Sequence, residues 1–90
     1  MTIYILGYVN KSKNGKNYLR VPGKFIRKFD ETTQTFTSAV DKPEERYFIN
    51  GAELNNLEPG IKERFKAEVV SIDEENKIIK VKDLMRKVGE

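Results

Sequence analysis

Alternation of apolar and polar positions runs through most of the chain, and it predicts strands. Residues 2–9 (TIYILGYV) are β-branched and aromatic apart from one glycine, the composition of a strand. Ile3, Ile5 and Val9 fall on odd positions and Tyr4 and Tyr8 on even ones, so a regular strand sends the two sets to opposite faces. Residues 10–16 form a loop whose Asn14-Gly15 dipeptide tolerates positive φ, which predicts a hairpin pairing residues 2–9 with 17–21. In residues 17–29 the apolar Leu19, Val21, Phe25 and Phe29 are odd, whereas Tyr18, Arg20, Lys24 and Lys28 are even. Pro22-Gly23 interrupts that run. Proline cannot donate to a sheet ladder, so the pair marks an edge, a bulge or the bend of a barrel corner. If parity survives the bend, one face is apolar and the other is tyrosine plus cations.

The remainder follows the same style. A turn at residues 30–33 leads to a Thr-rich strand over 34–40, a charged loop over 41–45, a short strand over 46–50 and Asn50-Gly51. Residues 52–57 suit a single helical turn. Residues 61–72 make the longest strand, with Phe65, Ala67 and Val69 on one face before Val70 and Ile72 take over the apolar parity; such a switch implies a bulge or strong coiling. An acidic turn at 73–76 precedes a last strand over 77–82, and residues 83–90 read as a basic tail, helical or frayed. The expectation is one all-β domain over residues 1–90. It is a small antiparallel barrel, OB-like or SH3-like, of six or seven short strands with little helix. Its core is expected to hold Ile3, Ile5, Leu19, Val21, Phe25, Phe65, Val69, Ile79 and Val81.

Charge changes this picture. Residues 1–29 carry seven cations (Lys11, Lys13, Lys16, Arg20, Lys24, Arg27, Lys28) and no acid, or +7. The chain has 17 basic and 14 acidic residues, so the rest holds 17 less 7, or 10, basic residues against 14 acids, a charge of −4. The net +3 therefore conceals a polarised molecule, which points to an anionic partner, nucleic acid foremost. Without cysteine there is no disulfide or thiolate chemistry, and without histidine the commonest general base and transition-metal ligand are missing. No apolar run is long enough for a bilayer span, and no signal-peptide pattern is visible, so a cytoplasmic protein without membrane contact is expected.

Residues 57–84 read LEPGIKERFKAEVVSIDEENKIIKVKDL. This Pro-Gly turn, long coiled strand, acidic turn and returning strand resemble part of an OB-fold or SH3-like barrel. The segment, about a third of the chain, resembles the small OB-fold single-stranded-DNA-binding proteins of phages and mobile elements. The resemblance implies a nucleic-acid groove. Residues 77–86 are basic, unlike the long acidic C-terminal tail of bacterial single-strand-binding proteins, which puts tail-mediated recruitment in doubt.

Single strands are bound by stacking bases on aromatic rings while cations follow the phosphates. Tyr4, Tyr8 and Tyr18 with Lys11, Lys13, Lys16, Arg20, Lys24 and Lys28 supply those residue types and are the candidate nucleic-acid-binding set. Two plainer readings stand beside this one. The tyrosines could close the barrel, and the lysines of residues 10–16 could be a solvated hairpin tip. Lys62, Arg64 and Lys66, interleaved with Glu63 and Glu68, read as a solvated sheet face. Asp73, Glu74 and Glu75 lack the spaced oxygen ligands of a cation loop and read as a turn, so no metal and no cofactor are expected. No catalytic motif is visible. The expectation is a non-enzymatic domain that binds nucleic acid, single-stranded DNA or RNA. The alternative is a small protein-binding module, such as a phage-encoded inhibitor of a host protein.

Overall fold

Each predicted run becomes a strand in the computed structural model, which describes residues 1–86, the Ala52 side chain excepted. In chain order the strands are β1 (Thr2–Gly7), β2 (Asn10–Lys11), β3 (Asn17–Pro22), β4 (Ile26–Asp30), β5 (Thr35–Ser38), β6 (Arg46–Asn50), β7 (Glu63–Asp73) and β8 (Ile78–Arg86). Helix among the described residues is limited to two 3-10 segments, Gly23–Phe25 and Ala52–Asn56. The protein is all-β, but its strands number eight rather than six or seven, because the expected loop over residues 10–16 opens with a two-residue strand, β2, that pairs with β3.

One sheet in the order β2-β3-β6-β8-β7-β1-β4-β5 curls into a barrel-like layer. Neighbours are antiparallel except β6 and β8, which run parallel, a departure from the all-antiparallel expectation. The expected hairpin is reduced to its tip. Only Asn10 and Lys11 pair with Tyr18 and Asn17, while β1 turns away to pair β7 on one edge and β4 on the other. Since only Tyr8 and Val9 separate β1 from β2, the chain itself links the end of the sheet order back to its interior, and β1 touches β3 across that link. Gly7 makes the approach feasible: a Cβ there would lie 2.5 Å from Val21 Cγ1.

The inward faces meet in register, as in Ile5 with both Phe65 and Ile26, Ile3 with Ala67, Leu19 with Ile49 and Val21 with Tyr47. Of the expected core, Ile3, Ile5, Leu19, Val21, Phe65, Ile79 and Val81 are buried. Phe25 and Val69 are only half-buried. Phe25 leaves the core because the 3-10 turn after Pro22 shifts the parity, so that Ile26 points inward instead. The turn is held tightly: Gly23 N–H donates to Glu45 O at 2.7 Å, and a Cβ at Gly23 would fall 2.8 Å from Val40 Cγ2. The face switch in β7 is a bulge, with Val69 opposite Val81 and Ser71 opposite Lys80. Val70, expected with Ile72 to take over the apolar parity, is the extra residue and is 60% exposed. Residues 83–86 are neither helical nor frayed but continue β8, with Leu84 buried and Arg86 paired to Phe65; residues 87–90 of the expected tail lie outside the described residues.

The acidic turn after β7 is internally occupied. Asp73 Oδ1 accepts the N–H groups of Glu75 (3.1 Å) and Asn76 (3.0 Å), and Asp73 Oδ2 accepts Asn76 Nδ2 (2.9 Å). These bonds favour the charged carboxylate and hold Asp73 below the usual carboxylate range. Glu74 accepts the buried Tyr47 hydroxyl at 2.6 Å and the Asp41 N–H at 3.1 Å. Burial, reinforced by that bond to Glu74, pushes the Tyr47 phenol up to about 12.

Candidate nucleic-acid interface

The alternation that fills the core also fixes what faces outward. Between Leu19 and Val21 of β3, Arg20 projects outward opposite Phe48 of β6, itself between the buried Tyr47 and Ile49. On β1, Tyr4 lies opposite Lys66 of β7 and Arg27 of β4, and Leu6 lies opposite Arg64. The outer face of β1, β3 and β6 is thus built of aromatic rings and cations as a direct result of period two.

Two grooves indent this face. The first, about 590 Å³, runs between β3, β6 and the end of β1 and is lined by Tyr8, Tyr18, Arg20, Phe25, Arg46, Phe48 and Lys62, with Asn10 and Ser12 at its rim. The second, about 480 Å³, is lined by Tyr4, Phe25, Arg27, Phe36 and Arg64. Leu6 and Phe25 belong to both, so the grooves are contiguous. Neither has an acidic side chain in its lining. Arg20 places its guanidinium 5.1 Å from the centre of the Phe48 ring, whose other neighbour is Tyr18 at 6.1 Å. Tyr8 and Phe48 are 49% and 42% exposed, leaving ring surface open to a ligand.

Of the residues expected to bind, Tyr8, Tyr18 and Arg20 come together in the first groove and Tyr4 joins the second. Lys11, Lys13 and Lys16 stand exposed on the β2–β3 hairpin and line neither groove. Lys24 lies over the Phe25 ring at 5.3 Å, beside a separate depression it shares with Glu44. Lys28, opposite Thr37, is exposed but one residue out of phase with Tyr4. The parity shift at Gly23–Phe25 brings Arg27 into that position instead.

Sequence reasoning missed Phe25, Arg27, Phe36, Arg46, Phe48, Lys62 and Arg64. Lys62 and Arg64 read as a solvated face because acids flank them. In the fold those acids are engaged elsewhere: Glu63 pairs with Arg86 at 3.1 Å, and Glu68 accepts the Thr2 hydroxyl and lies 3.8 Å from the N-terminal amine. Among the described residues, Arg20, Arg27, Arg46, Lys62 and Arg64 make no ion pair.

Compared with protein-family models, curated proteins and solved structures, the chain has no match. No helix among the described residues is long and apolar enough to cross a membrane.

Proposed function

We propose that this chain is an OB-type barrel that binds single-stranded nucleic acid without catalysing a reaction. The observation that carries the proposal is the pair of contiguous grooves lined by aromatic rings and by five cations that make no ion pair among the described residues, with no acid in either lining. Rings suit unstacked bases, and the cations suit phosphates that a folded-back acid would repel.

The strand order supports the OB reading over the SH3-like one. Counting β1 and β2 as one bent strand leaves β3, β6, β7 and β8 as the second to fifth strands of a five-stranded ring. The third and fifth run parallel, and a helical turn, Ala52–Asn56, stands between the third and fourth. OB-type barrels bind oligonucleotides across their second and third strands. The corresponding strands are β3 and β6, the walls of the first groove.

A fluorescence-anisotropy titration with labelled oligonucleotides at several salt concentrations tests the proposal. With four or five phosphates neutralised, log K against log salt should slope at about −3, at roughly 0.7 per contact on a single strand. Duplex of the same sequence should bind more weakly, since its bases are already stacked and their faces are hidden. No binding at low salt would overturn the reading and favour a protein partner for this surface. A salt-independent affinity would do the same, because a packed protein interface is less salt-sensitive.

A further inference from the structure

The β4–β5 hairpin is not part of the five-stranded ring. It pairs with the edge of β1 that β7 leaves free, through Tyr4 with Arg27 and Ile5 with Ile26. Ile26 anchors its base in the core, but from Arg27 through Phe36 no residue is buried. Its outer half nonetheless holds two phenylalanines. Phe29 and Phe36 are cross-strand partners with ring centres 5.2 Å apart, and they remain 40% and 48% exposed. Phe36 also meets Tyr4 edge-on at 5.4 Å and 89°. Rings held in a fixed array on a hairpin that contributes so little to the core mark a surface with a ligand.

Tyr4 and Phe36 of that array wall the second groove, whose cations come from β4 and β7. Arg27 on β4 is oriented by donating its Nε–H to Lys24 O at 3.1 Å, which leaves its remaining N–H groups available, and Arg64 stands across the groove on β7. The floor, Leu6 and Phe25, continues into the first groove.

We infer that the β4–β5 hairpin lengthens the binding path: a single strand seated in the first groove continues over Leu6 and Phe25 into the second. There its phosphates meet Arg27 and Arg64 and a base packs on Phe36. This rests on the proposed single-strand binding, and it adds that the footprint exceeds what β3 and β6 alone can hold. The occupant is a continuation of the same strand because the two grooves share their floor and their sign of charge.

The test is a length series of labelled oligothymidylates bound to wild type and to Phe36→Ala/Arg27→Ala, with Arg64→Ala as a separate variant outside the hairpin. All three positions are exposed, so circular dichroism should show unchanged folding. For wild type, affinity should keep rising with length after the first groove is filled. Phe36→Ala/Arg27→Ala should reach its plateau at a shorter oligonucleotide and lose about tenfold on long ones, while the shortest bound oligonucleotide is held as before. Arg64→Ala should flatten the salt slope on long oligonucleotides by about 0.7 and leave short ones unaffected. If wild type binds but the variants keep its plateau length and its affinity for long oligonucleotides, the extended path is wrong and the first groove stands alone. If the variants lose short and long oligonucleotides equally, the two grooves form one site and the extension is likewise overturned. If wild type binds no oligonucleotide, the reading beneath this inference fails with it.

Discussion

Two regions of this barrel hold polar groups in opposite ways. Around the acidic turn each named group is answered from within the chain: Asp73 caps its own turn, and Glu74 receives Tyr47 and Asp41. Across the grooves, Arg20, Arg46, Lys62 and Arg64 extend among aromatic rings with no carboxylate between them. The acidic turn has spent its hydrogen-bonding capacity on stability. The groove face retains its own, at the cost of exposed rings and mutual repulsion among cations. That contrast says more about purpose than the net charge, which is small and averages the two.

Both regions rest on one core, and disturbing it should weaken them together. Phe65 is fully buried opposite Ile5, and its sequence neighbour Arg64 lines the second groove. Phe65→Ala should cost about 3–5 kcal/mol, a large part of the stability of a domain this size, with any nucleic-acid binding lost in proportion to the unfolded fraction. Urea denaturation measures the first and anisotropy the second. An unchanged denaturation midpoint would show that the two regions do not share this support.

Raising the pH should remove the contribution of Tyr47 to the acidic turn. The Tyr47 phenol titrates near 12 in the fold against 10.0 unfolded. Its raised value means the neutral form is favoured by folding, so its contribution is complete below pH 10 and is lost as pH climbs through 12. The loss should reach about 2–3 kcal/mol, at 1.36 kcal/mol per unit. The measurement is the difference between wild type and Tyr47→Phe in urea midpoints from pH 9 to 12, in which pH effects common to both proteins cancel. Tyr47→Phe should start less stable, because Glu74 and the Lys42 N–H lose a partner, and should then decline less steeply. Parallel curves would mean that Tyr47 titrates normally and that the acidic turn is looser than its hydrogen bonds suggest.

The two regions also differ in how far their sequence reveals them. β1 is legible on both faces, since Ile3 and Ile5 alternate with Tyr4 without interruption. The acidic turn is legible as a turn because Asp and Asn cap their own backbone. The groove is legible only where no irregularity intervenes. Tyr18 and Arg20 follow from the parity of Leu19 and Val21. Beyond Pro22, however, one 3-10 turn exchanges the roles of Arg27 and Lys28, and no local signal gives the length of that turn. Phe48 shows a different limit. Its outward direction follows from its inward neighbours in β6, but its place beside Arg20 depends on a pairing between strands separated by the whole β4–β5 hairpin. Arg64 is hidden by Glu63 and Glu68, whose partners Arg86, Thr2 and the N-terminus are remote in sequence. What local pattern supplies is the direction of each side chain; which side chains become neighbours is set by topology.

The smallest expected effect separates two roles that one residue could have in the proposed interface. Arg20 is both a positive charge and a flat group lying over Phe48 at 5.1 Å. Lysine keeps the charge but offers a compact, strongly hydrated ammonium without the planar fork. Arg20→Lys should therefore leave the slope of log K against log salt unchanged, since the same phosphate is still neutralised. It should weaken binding at every salt concentration by about 0.5–1 kcal/mol, the worth of a cation–π contact at an exposed site. Arg20→Ala should lose that amount and also flatten the slope by about 0.7, because a counterion-releasing contact is gone. Both variants should melt close to wild type, as the residue is exposed and supports nothing in the core. If Arg20→Lys binds as tightly as wild type, Arg20 acts as a point charge and the Phe48 ring is not preorganised by it. If Arg20→Ala leaves both affinity and slope intact, the strand does not cross β3, and the contrast between an open groove face and a closed acidic turn loses its functional meaning.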